Sequence, residues 1–395
     1  MISDIDYIFM RKILKAIKIF TKSHFTFQKP EKKEIVIFDK KSEFYISNLF
    51  EKNEYVILDT SFKVINIFII LKLIFSLKKL NYINYYSKTI ELINPKFIFT
   101  FIDNNLGFYK IKKNFNNIKF ISIQNGTRFV TGDILEVLEK DKNDYNVDHY
   151  FTFNKSYAEE IGKFIKGDYK TIGSFKNNLF DISKNYEKGT LCYISRMSDI
   201  FLEYSKNINR EDIKKKFKSW EIDLVKFVKV LLENIDFYCA QNNLKLNIVG
   251  SSPNPELEKN FFDQIFKKSS FNFFPKKNLY DSYKTIDKFE VCINPMSTFG
   301  YEALAREKKV CFFSGDFIKG SNFCWPLNLP IKGNFYTNSN SKEEVKRILE
   351  YLLNIDEKEW INEISNYKSK LFFYDKDNKI IKSFLTANKI TKKWQ

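Results

Sequence analysis

Short runs of β-branched and aromatic residues recur along the chain without clean alternation with polar ones. The first set comprises Glu34–Asp39, Tyr55–Leu58, Lys96–Thr100, Lys119–Ile123 and His149–Phe153, with segments of helical period between them. A run that is apolar at both odd and even positions buries both faces, so these strands predict a parallel sheet covered by helices on each side. A second set follows the polar stretch Asp181–Gly189: Thr190–Ile194, Leu244–Val249, Phe271–Phe274, Phe289–Ile293 and Lys309–Phe313. Helices are predicted over Glu211–Gln241, Ser297–Glu307 and Ser341–Asn354. The last opens with Ser341 and Glu344 at capping-box spacing, where each side chain satisfies a backbone donor of the other.

The expected architecture is therefore α/β, with two doubly wound, Rossmann-like parallel-sheet domains facing a cleft. The N-terminal domain spans residues 1–185 and the C-terminal domain 186–395, with a hinge in residues 180–190. In such sheets ligands bind outside the carboxyl ends of the strands, so function is sought in the loops that follow them.

Two further segments are amphipathic or apolar. Phe62–Leu77 is broken by Lys63, Asn66 and Lys72 and is too short to span a bilayer, so it reads as a buried helix with Lys72, Ser76 and Lys79 as its wet edge. In Met10–Lys22, within the first 30 residues, Met10, Ile13, Leu14, Ile17 and Phe20 recur on one side and Arg11, Lys15, Lys18 and Lys22 on another. Such a helix can lie on an anionic membrane surface or pack on its own domain.

Composition narrows the function classes. With 395 residues, 44% hydrophobic and 17% aromatic, and no repeat or low-complexity block, the chain folds throughout. The net charge of +17 admits an anionic partner, although abundant Lys, Ile, Asn and Phe also follow from codon choice in a low-GC genome. Nucleic acid is not the expected partner, because no RNA-binding signature, zinc finger or dense basic stripe is present. The five cysteines, mostly in apolar runs, read as free thiols of a reducing compartment. His24 and His149 are the only histidines and neither sits in a supporting motif, which argues against zinc or serine hydrolase chemistry. Asp4 and Asp6 and the lack of a cleavage site argue against a signal peptide, so a cytoplasmic location is expected.

The sharpest chemical signal is Cys292 to Val310. Asn294 and Pro295 end a strand, Ser297 can cap a helix, and the helix start offers free N–H groups and a positive dipole end to a phosphate. Thr298 and Glu302 stand four apart on one face, so a hydroxyl can reach phosphate while the carboxylate receives ribose hydroxyls. An ordinary capped helix has the same spacing.

The stretch from Ser297 to Arg306 resembles the donor-binding helix of GT-B glycosyltransferases of capsule and lipopolysaccharide biosynthesis, in which Ser/Thr, Gly and Glu hold the nucleotide; Gly300 occupies the glycine position. Ile102–Asn105, Ile123–Arg128, Ile172–Asn178 and Tyr193–Arg196 resemble further blocks of such surface-carbohydrate proteins, in the right order from about residue 34. The layout is more distantly similar to the Kdo transferases of capsule assembly, which use a CMP-sugar. The resemblance implies a nucleotide-sugar donor, a glycan or lipid-linked acceptor at the inner membrane surface, and no cofactor.

Within that frame Asp103, directly after a strand, is expected at the cleft rim as base or nucleophile, with an Asx-turn as its plain alternative. Asn104, Gln124, Asn125 and Arg128 are the acceptor-side candidates. Ser195, Arg196, Gly250 and Ser251, with Asn294, are placed to reach the donor. No DxD pair follows a strand and neither GxGxxG nor a P-loop occurs, so no metal, dehydrogenase or kinase chemistry is expected. A nucleotide-sugar epimerase of the same fold and a non-catalytic basic binding protein are the alternatives.

Overall fold

A computed structural model describes residues 21–394 except 142, 198–216, 279 and 328. Met10 to Phe20 therefore lie outside the described residues.

The N-terminal sheet contains β2 (Ile35–Phe38), β3 (Tyr55–Leu58), β5 (Phe97–Thr100), β6 (Lys119–Ile123), β7 (Tyr145–Thr152) and β8 (Ile165–Thr171) in the order β3-β2-β5-β6-β7-β8. All of its pairings are parallel. The C-terminal sheet contains β9 (Glu187–Ile194), β10 (Leu246–Val249), β11 (Phe271–Phe274), β12 (Phe289–Asn294), β13 (Lys309–Phe313) and β14 (Tyr336–Thr337) in the order β11-β10-β9-β12-β13-β14, again wholly parallel. A small parallel pair joins β1 (His24–Thr26) to β4 (Val64–Asn66).

The central strands are apolar because helices cover both faces. Every residue of Ile35–Phe38 is fully buried, and so is the inner part of β12. Each such side chain contributes on the order of 1.5–3 kcal/mol by leaving water. Chain direction reverses its neighbour order between β2 and β5 in the first sheet and between β9 and β12 in the second. These switch points open a crevice at the strand ends of each sheet.

The chain crosses between domains twice. After leaving β8 it enters the C-terminal sheet at β9, and near its end the helix Lys379–Ala387 returns to the N-terminal domain. There Ile381, Phe384 and Leu385 join Ile35, Ile37, Phe99 and Phe151 in one core. The Trp394 indole N–H donates to the Leu49 carbonyl at 2.8 Å, and Glu54 accepts from the Thr391 hydroxyl and the Lys392 N–H. The second domain, read from the sequence as running to residue 395, thus gives up its last segment to the first.

Of the helix expected over Glu211–Gln241, residues 211–216 lie outside the described residues and Ser219–Gln241 is helical. One segment differs from expectation. The Phe62–Leu77 segment holds β4 and then a helix from Ile67 to Phe75 whose end is not buried: Ile74, Phe75 and Leu77 are exposed. None of the described helices is long and apolar enough to cross a membrane.

Candidate functional site

The C-terminal switch point is built by β9 and β12. Asn294, the last residue of β12, is fully buried and braces the following turn: its Oδ1 accepts from the Ser297 N–H at 3.1 Å and its Nδ2 donates to the Ser297 carbonyl at 3.2 Å. A Cβ on Gly300 would stand 2.1 Å from that Nδ2, so only glycine lets the helix pack against the strand end. Ser297 caps the Thr298–Ala305 helix, its hydroxyl accepting from the Phe299 N–H at 3.3 Å. The dipole end of this helix points into the crevice.

A cavity of about 220 Å³ opens there, lined by Ser195, Ser251, Ser297, Thr298 and Glu302 from one domain and by Tyr45 and Lys176 from the other. Arg196 stands beside it. Its guanidinium donates to the Met296 carbonyl at 3.0 Å and lies over the Phe129 ring, and no carboxylate of the described residues pairs with it. Burial lowers its pKa to about 10, partly opposed by Asp133. An underpaired cation at a strand end invites an anion.

Glu302 lies at the seam of the domains, 3% exposed. One carboxylate oxygen accepts from the Ser174 hydroxyl and the other from the Tyr283 hydroxyl at 2.9 Å, with Lys176 Nζ at 4.0 Å. Burial and the Glu302 charge together push the Tyr283 phenol well above its ordinary value, so it remains a donor. Thr298 reaches across as well: its hydroxyl accepts from the Thr127 N–H at 3.0 Å and meets the Thr127 hydroxyl at 2.9 Å.

The Gly250-Ser251-Ser252 turn departs from expectation. Its N–H groups already hold an anion, the fully buried Glu258 carboxylate, at 3.0–3.1 Å from Ser251 and Ser252, and the Ser195 hydroxyl donates to the same group. Ser195, Gly250 and Ser251 therefore form the cavity wall, with those donors spent inside the protein. Glu258→Ala is expected to lower stability by about 2–3 kcal/mol, because buried N–H groups lose a charged acceptor. A chemical denaturation midpoint equal to that of the wild type would refute this.

On the N-terminal side, Asp103 is corrected from a cleft-facing carboxylate to a fully buried one. Arg128 grips both of its oxygens, the Tyr150 hydroxyl donates at 2.9 Å and the Asn125 N–H at 3.0 Å. Burial opposes the Arg128 charge, but Asp103 outweighs it and holds the guanidinium ionised. Gln124 is likewise consumed, donating to the Gly126 carbonyl at 2.8 Å and accepting from the Phe153 N–H at 2.8 Å. Asn125 accepts from Arg128, and only Asn104 of this group is exposed. Together Asp103, Gln124, Asn125 and Arg128 make the rigid floor on which the Gly126–Thr127 tip reaches Thr298.

Sequence reading missed Asp39, Tyr45, Lys176 and Tyr283. Asp39 directly follows β2 at the N-terminal switch point, half-buried, with φ 77° and ψ 124°, a backbone conformation that costs a non-glycine residue about 1–3 kcal/mol. It caps the Lys40–Ile46 helix, which carries Tyr45 to the cavity, and its other oxygen accepts from the Thr60 hydroxyl. The signal was present: an Asp directly after an all-apolar strand. Lys176 lies in the Ile172–Asn178 block and stands over the Tyr45 ring.

A second, shallow hollow lies at the opposite, N-terminal ends of the C-domain strands, where Arg306 is paired with Asp287 and Lys309 with Glu290.

Comparison with known proteins agrees with this layout. A family model described as "putative O-antigen biosynthesis protein" matches residues 120–389. No curated protein sequence matches. Among solved structures, the Staphylococcus aureus MnaA–UDP co-structure is similar at 12% identity and a TM-score of 0.51, covering 91% of this chain and 98% of that one. The Methanocaldococcus jannaschii UDP-GlcNAc 2-epimerase, in complex with UDP-GlcNAc and UDP, aligns at 12% identity and a TM-score of 0.50, with 90% and 99% covered. S. aureus TarM, in complex with UDP and glycan ligands, aligns at 15% identity and 0.43, with 77% of this chain covered; the chain spans only 58% of that protein's length. The first two likenesses show the fold, two parallel-sheet domains of GT-B type.

Proposed function

The chain belongs to this O-antigen biosynthesis family, and on that premise we propose that it is a glycosyltransferase moving a sugar from a nucleotide donor to a lipid-linked or growing surface polysaccharide. The observation that carries the reading is the crevice at the β9/β12 switch point. There a capped helix start and a buried carboxylate line one cavity that the other domain closes, and an arginine that no carboxylate of the described residues pairs with braces the Met296 carbonyl just before the helix.

In this reading the donor's phosphate lies between the Thr298 helix start and Arg196, with Lys176 at the side of the departing oxygen. Glu302 uses the lone pairs left free by Ser174 and Tyr283 to receive ribose hydroxyls. A CMP-sugar and a UDP-sugar both satisfy this geometry. The acceptor hydroxyl approaches from the N-terminal rim. Asp39, rather than Asp103, takes its proton, since Asp39 is the half-exposed carboxylate at that rim's switch point. Chemistry proceeds without a metal, the cations and helix dipole meeting the developing charge. The enzyme works in the cytoplasm against the inner face of the plasma membrane, where a lipid-linked acceptor resides.

Glu302→Ala is expected to abolish the rise in melting temperature produced by the best of CMP, CDP, UDP and GDP, while the free protein stays folded. Full nucleotide affinity in this variant would remove the donor assignment.

A second reading, an epimerase acting on the nucleotide sugar itself, draws support from the likeness to the M. jannaschii UDP-GlcNAc 2-epimerase, which covers 90% of this chain and 99% of that one. Interconversion of free UDP-sugars without any acceptor would favour it. Nucleotide binding with neither activity would leave a binding protein.

A further inference from the structure

We propose that the turn between the Ile67–Phe75 and Tyr82–Ile93 helices, together with the adjoining β1–β4 ribbon, is a docking surface for an anionic lipid bilayer. The turn carries large apolar side chains that stand exposed among the described residues. Phe75 is 82% exposed and Leu77 96%, with Ile74 and Leu80 exposed in the same turn and Phe27 and Val64 exposed on the adjoining ribbon. Scattered exposed apolar residues are ordinary, but four within the seven residues from Ile74 to Leu80 are not.

Backbone geometry sharpens the point. The helix ends in a Schellman arrangement, the Lys78 N–H donating to the Leu73 carbonyl at 3.0 Å and the Leu77 N–H to the Ile74 carbonyl at 2.9 Å. Leu77 takes the left-handed position at φ 51°. Glycine or asparagine is favoured there, and leucine is both strained and almost wholly in water. Folding gains nothing from leucine at this place, whereas insertion into an apolar medium does.

The surrounding charge selects the occupant. Between Thr60 and Ile90 the chain has five lysines and no carboxylate, and Lys63, Lys72, Lys78 and Lys79 are all exposed around the apolar tip. An apolar tip within a lysine collar matches the acyl boundary and headgroups of an anionic leaflet. Two copies of the knob would repel each other, and residues 1–20, with Arg11, Lys12, Lys15 and Lys18 against Asp4 and Asp6, are also net basic.

The knob lies at the functional end of its domain. Tyr82, which follows the turn, packs on Gly107, where a Cβ would meet its ring at 2.6 Å, and Gly107 lies two residues after Asn105 in the loop and helix that follow β5. Docking therefore holds the N-terminal rim near the bilayer. That benefit rests on the reading of a lipid-linked acceptor; the docking itself does not.

The test is co-sedimentation of the full chain with phosphatidylcholine vesicles containing about 30% phosphatidylglycerol, at low and high salt. Wild type is expected to bind in a salt-sensitive way, Phe75→Glu/Leu77→Glu to weaken binding about tenfold or more, and Lys72→Glu/Lys78→Glu/Lys79→Glu to weaken it further. Leu77→Gly is the discriminating variant, because it should melt higher than wild type and yet bind vesicles less tightly. All variants should keep the nucleotide-induced thermal shift, so failure here is separable from failure of the donor site. The proposal is overturned if wild type ignores the anionic vesicles at low salt. It is equally overturned if the Phe75/Leu77 variant binds like wild type, or if that variant instead dissociates a dimer seen by light scattering.

Discussion

Asp103→Asn is expected to lower the stability of the protein by about 3–5 kcal/mol, the cost of leaving a buried cation without its counter-charge. The amide keeps the size of the carboxylate but presents two N–H donors where Arg128, Tyr150 and the Asn125 N–H all point donors of their own. Arg128 is 8% exposed and has no comparable substitute, since Asp133 is 3.7 Å away on its far side. The melting temperature should fall by several degrees, and Arg128→Gln added to Asp103→Asn should recover part of the loss by removing the orphaned charge. A variant that melts like wild type but transfers sugar at least about a hundredfold more slowly would return Asp103 to the chemistry.

The opposite pattern is expected for Asp39→Asn. Asparagine can still cap the Lys40–Ile46 helix and tolerates a positive φ, so stability should change little. Turnover should fall by at least about a hundredfold, the lower end of what a general base contributes, while the nucleotide thermal shift persists. Near-normal kcat would remove Asp39 from the mechanism. The pair of variants thus separates a carboxylate that builds the site from one that acts in it.

The fold was legible because burial on both faces leaves an unmistakable trace: Ile35–Phe38 and Lys119–Ile123 have no alternation to misread. The strand Ile165–Thr171 escaped for the complementary reason. It is an edge strand, polar at most positions, and looks like a loop. The Ser297 cap and its Asn294 brace could be read because their partners lie within a few residues. Asp103 could not, since its burial is imposed by Arg128 and Tyr150, 25 and 47 residues away. The Gly250–Ser252 turn misled in the same way: its anion proved to be Glu258, from the next helix. Local chemistry announces what a segment can bind, and only the tertiary structure decides whether that capacity is already used.

The returning helix Lys379–Ala387 has a consequence for the order in which the molecule is made. Ile381, Phe384 and Leu385 cover one face of the first sheet, so a nascent chain that has just emitted β8 exposes Ile35, Ile37, Phe99 and Phe151 to solvent and to chaperones. Domains ordinarily mature in the order of translation, the earlier one settling before the later one emerges. Here the first domain completes only when Lys379–Ala387 leaves the ribosome, after every strand of the second. Ribosomal stalling or proteolysis near residue 375 would therefore damage the domain synthesised first.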